Sequence, residues 1–285
     1  MERENTATRL ATLETRWERG VPAVMGILNC TPDSFSDGGR FLDPGAAVEH
    51  ASRMVEDGAD VIDVGGESTR PGARSVPAGE ELRRVVPVVR ELRERFPDLP
   101  ISVDTSKAVV AEEALDAGAD IVNDVTAARD PRMLETVVRA RAAIILMHMR
   151  GQPRTMQLET SYTNVVAEVH AFLQERAVAA EAAGIGRTRI WLDPGIGFGK
   201  DDPGNLALLA SVEDLGAIGY PVVIGPSRKS FIGRLTGAPT DDRLPGTLAA
   251  LAPALNVPQA VVRVHDPGPA RQYLTVAAGI AGAGR

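Results

Sequence analysis

Residues 56–63 read EDGADVID and residues 116–124 read DAGADIVND. In each segment a helix end meets a glycine able to cap it, and an aspartate then leads into a short apolar strand that closes on an acid or an amide. Repetition of this helix-to-strand junction is typical of a chain that alternates helices with strands. The two segments therefore predict a parallel sheet.

Short apolar runs of the same kind recur along the chain, with helix-period segments between them. Strands are predicted at residues 23–28, 61–64, 101–103, 121–122, 143–147, 190–192, 222–224 and 260–264. Helices are predicted at about 44–57, 78–96, 107–117, 131–141, 163–183, 204–214, 246–255 and 267–279. Eight such units favour an α/β fold closed into a (β/α)8 TIM barrel, which typically needs about 250 residues. An open doubly wound sheet has the same alternation and stays an alternative, because Pro87 and Pro253 interrupt two helical segments.

Composition bounds the domain organisation and the partners. Nothing marks a second domain, so we expect residues 1–22 to be a short N-terminal lead-in and residues 23–285 a single barrel domain. A formal charge of -7 gives no broad basic face, and nucleic acid is not expected as a partner. The single cysteine, Cys30, excludes an internal disulfide, and the first twenty residues carry neither a signal peptide nor a membrane span. We expect a soluble cytoplasmic protein.

The ends of the predicted strands carry polar residues. Because the carboxyl ends of barrel strands converge on one mouth, residues that follow different strands are expected to share a pocket there. Asp104, Asn123 and Asp193 follow three such strands. Two carboxylates and an amide suit a ligand with several ring N–H donors. A helix N-cap is the alternative for each aspartate, and it is stronger for Asp104 than for Asp193.

Cations follow the last two strands. The segment GPSRKS at 225–230 places Arg228 and Lys229 at the start of a predicted helix, and Arg263 and His265 alternate to the same side of the final strand. Both groups predict anion binding at the mouth. The alternative for Arg263 is a structural ion pair with Asp266 or a neighbour.

These motifs together resemble the dihydropteroate synthase family of pterin-binding barrels. The resemblance runs from about Ala23 to the C-terminus, and the segments that carry it are MGILNCTPDSFSDGG, DVGGESTRPGA, SVDTSK, VNDV, LMHMRGQP, LDPGIGFGK, GPSRKSFIG and RVHD. The resemblance implies condensation of 6-hydroxymethyl-7,8-dihydropterin diphosphate with 4-aminobenzoate to 7,8-dihydropteroate and diphosphate, with Mg2+. It also implies a homodimer and competition by sulfonamides.

The resemblance assigns roles to residues of this chain. It implies that the pterin ring contacts Asp104, Asn123, Asp193 and Lys229, with Arg263 packed over its face, and Met147 is counted among the substrate-binding residues. It implies that Asn29, Arg263 and His265 hold the diphosphate, with the magnesium ion close to Asn29. Phe35, Asp37, Thr69 and Arg70 are implied to order over the leaving group and the aminobenzoate in two mobile loops. Phe198 and Ser230 are implied to seat the aminobenzoate.

The implied chemistry is consistent with the residue types. Loss of diphosphate leaves positive charge on the pterin methylene, so the reaction needs stabilisation of the departing anion more than a strong base. We therefore expect an SN1-like substitution, in which Lys229, Arg263, Asp37, Thr69 and Arg70 act in catalysis. Two alternatives remain, namely a related methyltetrahydrofolate corrinoid methyltransferase and a pterin-binding paralogue without catalysis.

Overall fold

The chain forms a closed barrel of eight parallel strands in sequence order, β1 to β8. A computed structural model describes residues 2–31, 44–69, 72–73, 75–151, 155–156 and 159–283. The strands are β1 (Ala23–Asn29), β2 (Val61–Gly65), β3 (Ile101–Asp104), β4 (Ile121–Asp124), β5 (Ala143–Met147), β6 (Ile190–Asp193), β7 (Val222–Ile224) and β8 (Ala260–Val264). The barrel prediction is confirmed, and the open sheet is excluded because β1 pairs with β8.

Helices surround the barrel in the described part of the chain. They are α1 (Glu2–Glu18), α2 (Pro44–Glu56), α3 (Ala78–Arg95), α4 (Ala108–Asp116), α5 (Met133–Ala140), α6 (Val165–Ala183), α7 (Asp202–Ala210), α8 (Val212–Gly216), α9 (Ser230–Thr236), α10 (Leu244–Leu251) and α11 (Pro267–Gly282). None of them combines the length and the apolar character that a membrane-spanning helix needs.

Several helix and strand boundaries in the structure differ from the predicted ones. Helix α3 continues through Pro87, whereas α10 ends before Pro253, which lies in a 3-10 segment (Ala252–Asn256). The helix predicted at 204–214 is two helices that meet at Ser211. Strands β1, β2, β3, β4 and β6 run one or two residues beyond their predicted ends. The extension arises because the backbones of the polar residues at these ends still pair in the sheet.

The strand period sets which residues reach the barrel interior. A buried interior cluster contains Val61, Ile121, Trp191 and Val261. Because side chains alternate across a strand, the residue two positions later points to the same side but lies nearer the mouth. Each of these interior residues is followed in this way by a polar one: Val61 by Asp63, Ile121 by Asn123, Trp191 by Asp193 and Val261 by Arg263. The apolar interior therefore fixes the direction of the polar side chains above it.

The lead-in forms α1, which packs at the opposite end of the barrel. Leu13 of α1 is fully buried in the interior cluster, and Trp17 packs against that cluster. The Trp17 indole N–H donates to the backbone oxygen of Ala260 at 2.9 Å, and its ring meets that of Trp191 edge-on with centroids 6.3 Å apart. Helix α1 thus closes the bottom of the barrel.

The repeated GAD motif builds two similar clamps at that end. Asp120, in the second copy, accepts a hydrogen bond from Ile101 N at 3.0 Å, from Arg9 Nε of α1 at 2.8 Å and from Arg93 Nη2 of α3 at 2.6 Å. Arg93 also donates to the carbonyl oxygen of Gly118 at 3.0 Å. The Asp120 carboxylate is fully buried, and its charge is balanced by the two guanidinium groups.

Asp60, in the first copy, has the same kinds of partner. It accepts from Val24 N at 2.8 Å, from Arg16 Nε of α1 at 3.0 Å and from Arg271 Nη2 of α11. Arg271 also donates to the carbonyl oxygen of Gly58 at 3.0 Å. The sequence repeat is therefore a structural repeat, in which each aspartate joins a strand start, α1 and an outer helix.

The buried clamp predicts a large effect of a small substitution. Asp120→Asn removes the carboxylate that compensates Arg9 and Arg93, so we expect the free energy of unfolding to fall by about 3 kcal/mol or more. Urea denaturation measures the change. The control is Glu112→Gln, which breaks an exposed ion pair with Arg139 and should cost less than about 1 kcal/mol. Equal, small losses in both variants would contradict the clamp.

Candidate active site

A pocket opens at the carboxyl end of the barrel strands. It is lined by Thr69, Asp104, Asn123, Val125, Met147, Asp193, Gly195, Ile196, Phe198, Gly225, Lys229 and Arg263. These residues come from segments that are far apart in the sequence and meet only because the barrel closes. Eight of them are residues that the sequence and its family resemblance assign to the site: Thr69, Asp104, Asn123, Met147, Asp193, Phe198, Lys229 and Arg263.

Arg263 links two carboxylates on one side of this pocket. Its Nε donates to Asp63 Oδ2 at 2.6 Å, and its Nη2 donates to Asp104 Oδ2 at 2.8 Å. Asn123 Nδ2 also donates to Asp63 Oδ2, at 3.0 Å, which leaves the Asn123 carbonyl oxygen as an acceptor. One guanidinium therefore faces two buried carboxylates.

The ratio of one guanidinium to two carboxylates governs the protonation of Asp104 and Arg263. Burial, the largest cause, and the neighbouring Asp63 raise the pKa of Asp104 to about 7, against the lowering effect of Arg263. Burial alone would lower the pKa of Arg263, but Asp63 and Asp104 together raise it above its ordinary value. The guanidinium stays charged, and the Asp104 carboxyl is poised to exchange a proton near neutral pH.

Asp193 occupies a second side of the pocket. Its Oδ1 accepts a hydrogen bond from Gly195 N at 2.7 Å, and this bond orients the carboxylate at the end of β6. Burial raises the pKa of Asp193, while the bond from Gly195 and the charge of Lys229 act in the opposite direction. Neither Asp104 nor Asp193 caps a helix with its side chain, so the N-cap alternative is wrong for both.

Lys229 and Phe198 form the third side. The Lys229 ammonium lies 3.8 Å from the centroid of the Phe198 ring, which makes a cation–π contact. Phe198 also packs with Val125 and Met147 in a buried apolar cluster. This side of the pocket therefore offers an apolar, aromatic surface beside one positive charge. The next residue, Ser230, begins α9 as predicted and is exposed.

Arg228 and His265 each contact a neighbouring side chain. The Arg228 guanidinium pairs with Asp266, with Nη2 2.6 Å from Oδ1, although an anion-binding role was expected for it. Asp266 is thus the partner of Arg228 and not of Arg263. His265 Nδ1 lies 2.9 Å from Ser227 Oγ, and this contact orients the ring just beyond β8.

The remaining predicted residues fall into two groups. Asn29 ends β1 beside Gly65, and His265 follows β8, so both lie at the same end of the barrel as the pocket but do not line it. Phe35, Asp37 and Arg70 lie outside the described residues. Among the described residues, no group of three or more His, Cys, Asp or Glu side chains is placed to hold a metal ion.

Sequence reasoning missed Asp63. It is fully buried in the middle of β2 and supports both Arg263 and Asn123. A carboxylate inside an otherwise apolar strand was the available signal, because such a group requires a buried partner. Lys200 was also given no role. It is 1% exposed, and a buried lysine likewise requires a buried partner.

The sequence and the fold of the chain are similar to those of known proteins. The family model described as pterin binding enzyme matches residues 25–265. The chain belongs to this family. It is 49% identical to the dihydropteroate synthase of Haemophilus influenzae over 246 residues, which are 86% of this chain and 89% of the relative.

Solved structures of dihydropteroate synthases give the same result. The Yersinia pestis enzyme, crystallised with a sulfonamide drug complex, is 42% identical with a TM-score of 0.87 over 93% of this chain and 96% of its own. The Xanthomonas albilineans enzyme, solved with 4-aminobenzoic acid, is 47% identical with a TM-score of 0.85 over 92% and 94% of the two chains.

The protonation of Asp104 predicts a pH-dependent difference between variants. Because the folded state raises its pKa from 3.8 to about 7, the native protein binds an extra proton in this window and wild-type stability falls as pH rises through it. Asp104→Asn lacks this titration. Its free energy of unfolding relative to wild type should therefore increase between pH 5 and 7, by at most about 1.4 kcal/mol per unit, and level off above.

Urea denaturation of the ligand-free proteins between pH 5 and 8 measures this difference. The control is Asp202→Asn, because hydrogen bonding to Arg234 lowers the pKa of that carboxyl and places its titration below the tested range. A difference between wild type and Asp104→Asn that does not change with pH would contradict the raised pKa.

Proposed function

We propose that this chain is a dihydropteroate synthase. It condenses 6-hydroxymethyl-7,8-dihydropterin diphosphate with 4-aminobenzoate, giving 7,8-dihydropteroate and diphosphate in folate biosynthesis. The observation that carries the proposal is the convergence of Asp104, Asn123 and Asp193 with Lys229 and Arg263 on one pocket. The membership of the pterin-binding family supports it.

The acceptors in the pocket suit a pterin ring. A pterin presents several N–H donors in one plane, and each needs an acceptor when the ring is buried. The Asp104 and Asp193 carboxylates and the carbonyl oxygen of Asn123 supply acceptors from three strands. The side chain of Met147, which is 3% exposed, supplies apolar contact for the ring. Arg263, held in place by two carboxylates, packs over the face of the ring.

The reaction is a dissociative substitution at the pterin methylene. As the carbon–oxygen bond breaks, negative charge grows on the diphosphate, and cations placed beforehand stabilise it. Arg263 of β8 and His265, which follows β8, bind this leaving group. The resemblance assigns Asp37, Thr69, Arg70 and Phe35 to the exclusion of water from the cation. The aromatic amine is neutral near pH 7, so its attack needs no strong base.

Magnesium is part of this proposal. Asn29 offers an amide oxygen at the end of β1, and Mg2+ characteristically takes few protein oxygens and several from substrate phosphates. When bound, the ion neutralises charge on the leaving group.

The second substrate is placed against Phe198 and Lys229. An aminobenzoate ring stacks well on an aromatic and aliphatic surface, and its carboxylate favours a nearby cation. Lys229, which the resemblance also assigns to the pterin ring, supplies that charge, and the exposed Ser230 hydroxyl supplies a donor beside it. The Xanthomonas albilineans relative was solved with 4-aminobenzoic acid, which supports this compound as the second substrate.

The protein acts as a homodimer in the cytoplasm. Large apolar side chains are exposed on α7 (Leu206), α9 (Leu235) and α11 (Val276 and Ile280). Helices α7 and α9 are joined by the ion pair of Asp202 with Arg234, and α11 packs on α10. Exposed apolar groups on neighbouring outer helices favour burial against a second copy. The single, buried Cys30 needs no oxidising compartment.

The coupled assay for dihydropteroate tests the proposal. We expect product only when both substrates and Mg2+ are present, and loss of product when EDTA is added. Lys229→Ala should lower kcat/KM by at least about a hundredfold, because it removes charge beside the reacting groups, while the melting temperature stays close to that of wild type. A sulfonamide should compete with 4-aminobenzoate.

The same assay separates the alternatives. Tight pterin binding without product would identify a binding protein, and methyl transfer from methyltetrahydrofolate would identify a methyltransferase. Full activity in Lys229→Ala would remove that residue from the site.

Binding of the pterin tests Asp193. Asp193→Asn replaces a carboxylate acceptor with an amide, so the affinity for the pterin substrate should fall by about tenfold or more. Isothermal titration calorimetry measures it. Asp214→Asn, at an exposed position of α8, is the matched control and should bind as wild type does. Unchanged affinity in Asp193→Asn would exclude contact between this carboxylate and the ring.

A further inference from the structure

Lys200 is a buried lysine that the reaction does not use. Its ammonium lies 2.9 Å from the carbonyl oxygens of Gly195 and Phe198, 3.0 Å from the carbonyl oxygen of His148 and 3.0 Å from His148 Nδ1. The side chain is 1% exposed. Four acceptors thus surround one small cation at the end of β5.

The partners of Lys200 favour its protonated form. Burial lowers the pKa of His148 to about 3, so the ring is neutral and Nδ1 is able to accept. Burial also lowers the pKa of Lys200 to about 7; the charges of Lys229 and Arg150 act in the same direction, and that of Asp193 opposes them. Three carbonyl oxygens and a ring nitrogen match the donors of an ammonium better than those of an amine, which has one fewer N–H.

Lysine is rare in this chain. Of 31 basic residues only Lys107, Lys200 and Lys229 are lysines, and they follow β3, β6 and β7. The other cations, including those of the clamps at the bottom of the barrel, are arginines. A planar guanidinium cannot place its donors on four acceptors gathered around one point, whereas a compact ammonium can. The geometry at Lys200 is therefore specific for lysine.

The acceptors connect two parts of the barrel mouth. Gly195 and Phe198 belong to the loop after β6, and His148 follows β5. The same loop carries the Phe198 ring on which the Lys229 ammonium rests. A Cβ built on Gly197 would lie 3.0 Å from Lys229 Cδ, so the loop backbone packs directly on the lysine stem. The position of this loop therefore determines where the Phe198 and Lys229 surface lies.

We propose that Lys200 is a positioning residue for the second substrate: it holds the loop 195–200 against the end of β5 and thereby sets the surface of Phe198 and Lys229 that receives 4-aminobenzoate. The identity of that substrate rests on the proposed function. Lys200 itself does not touch the substrates, because the loop backbone surrounds it.

Lys200→Met tests the proposal, since methionine has a similar shape and no charge. We expect kcat/KM for 4-aminobenzoate to fall by at least about tenfold, while the affinity for the pterin substrate in calorimetry changes by less than about threefold. Lys200→Arg should not restore the wild-type value. The control is Arg9→Met, which removes a buried cation from the clamp at the bottom of the barrel. It should lower the melting temperature without lowering kcat/KM for 4-aminobenzoate more than the affinity for the pterin substrate.

The outcomes are distinct. An unchanged kcat/KM for 4-aminobenzoate, or equal losses for the two substrates, would overturn the role of Lys200. If wild type itself forms no dihydropteroate, the proposed function fails. Calorimetry with 4-aminobenzoate then tests Lys200 separately, and equal affinities of wild type and Lys200→Met would overturn its role.

A measurement on the wild-type protein covers the case in which Lys200→Met does not fold. With lysine labelled by 15N at Nζ, only three side chains contribute signals. The buried Lys200 ammonium should give a signal protected from exchange, and it should shift when 4-aminobenzoate and the pterin saturate the site. A signal unaffected by both ligands would overturn the proposal.

Discussion

The Arg263 guanidinium holds the candidate active site together. It lies between Asp63 and Asp104, and without it two buried carboxylates would face each other at the barrel mouth. Such a pair of like charges in a poorly hydrated space is strongly unfavourable unless one takes up a proton. Sharing one cation between two acids leaves Asp104 short of positive charge, and this deficit suits a ligand that brings N–H donors. The same guanidinium stays charged beside the position proposed for the leaving group.

The barrel separates stability from chemistry along its axis. At the bottom, Asp60 and Asp120 are each matched by two arginines and by a backbone N–H, so these carboxylates are satisfied by the protein alone. At the mouth, Asp104 and Asp193 have fewer partners in the described part of the chain, and burial raises the pKa of both. The difference lies in the number of cations per carboxylate and not in the residue type. Fully compensated acids favour a rigid base, and under-compensated acids favour binding of a substrate.

Much of the fold and part of the site could be predicted from local patterns. Apolar runs, the strand period of two and the glycines that end helices placed the strands. They also identified five residues that line the pocket, namely Asp104, Asn123, Asp193, Lys229 and Arg263, and the family resemblance added Thr69, Met147 and Phe198. Ion-pair partners were harder to predict, because they depend on positions distant in sequence. Arg228 was expected at an anion and pairs with Asp266, and Arg263, for which a pairing with Asp266 was considered, pairs with Asp63 and Asp104. The role of α1 was not foreseen, since its hydrogen bonds to Asp120, just before β4, and to Ala260 of β8 join residues 111 and 243 positions apart.

The sequence by itself determined the alternation of strands and helices, the polar residue at each strand end and the family to which the chain belongs, because these properties depend on residues that are neighbours along the chain. Only the tertiary structure decided which charges meet. Closure of the barrel brings β8 beside β1 and places Arg263 against Asp63, 200 positions away, and the turn after β6 brings Lys200 back onto His148. Charge compensation in a buried site is a property of distances in space, and a linear pattern does not contain those distances.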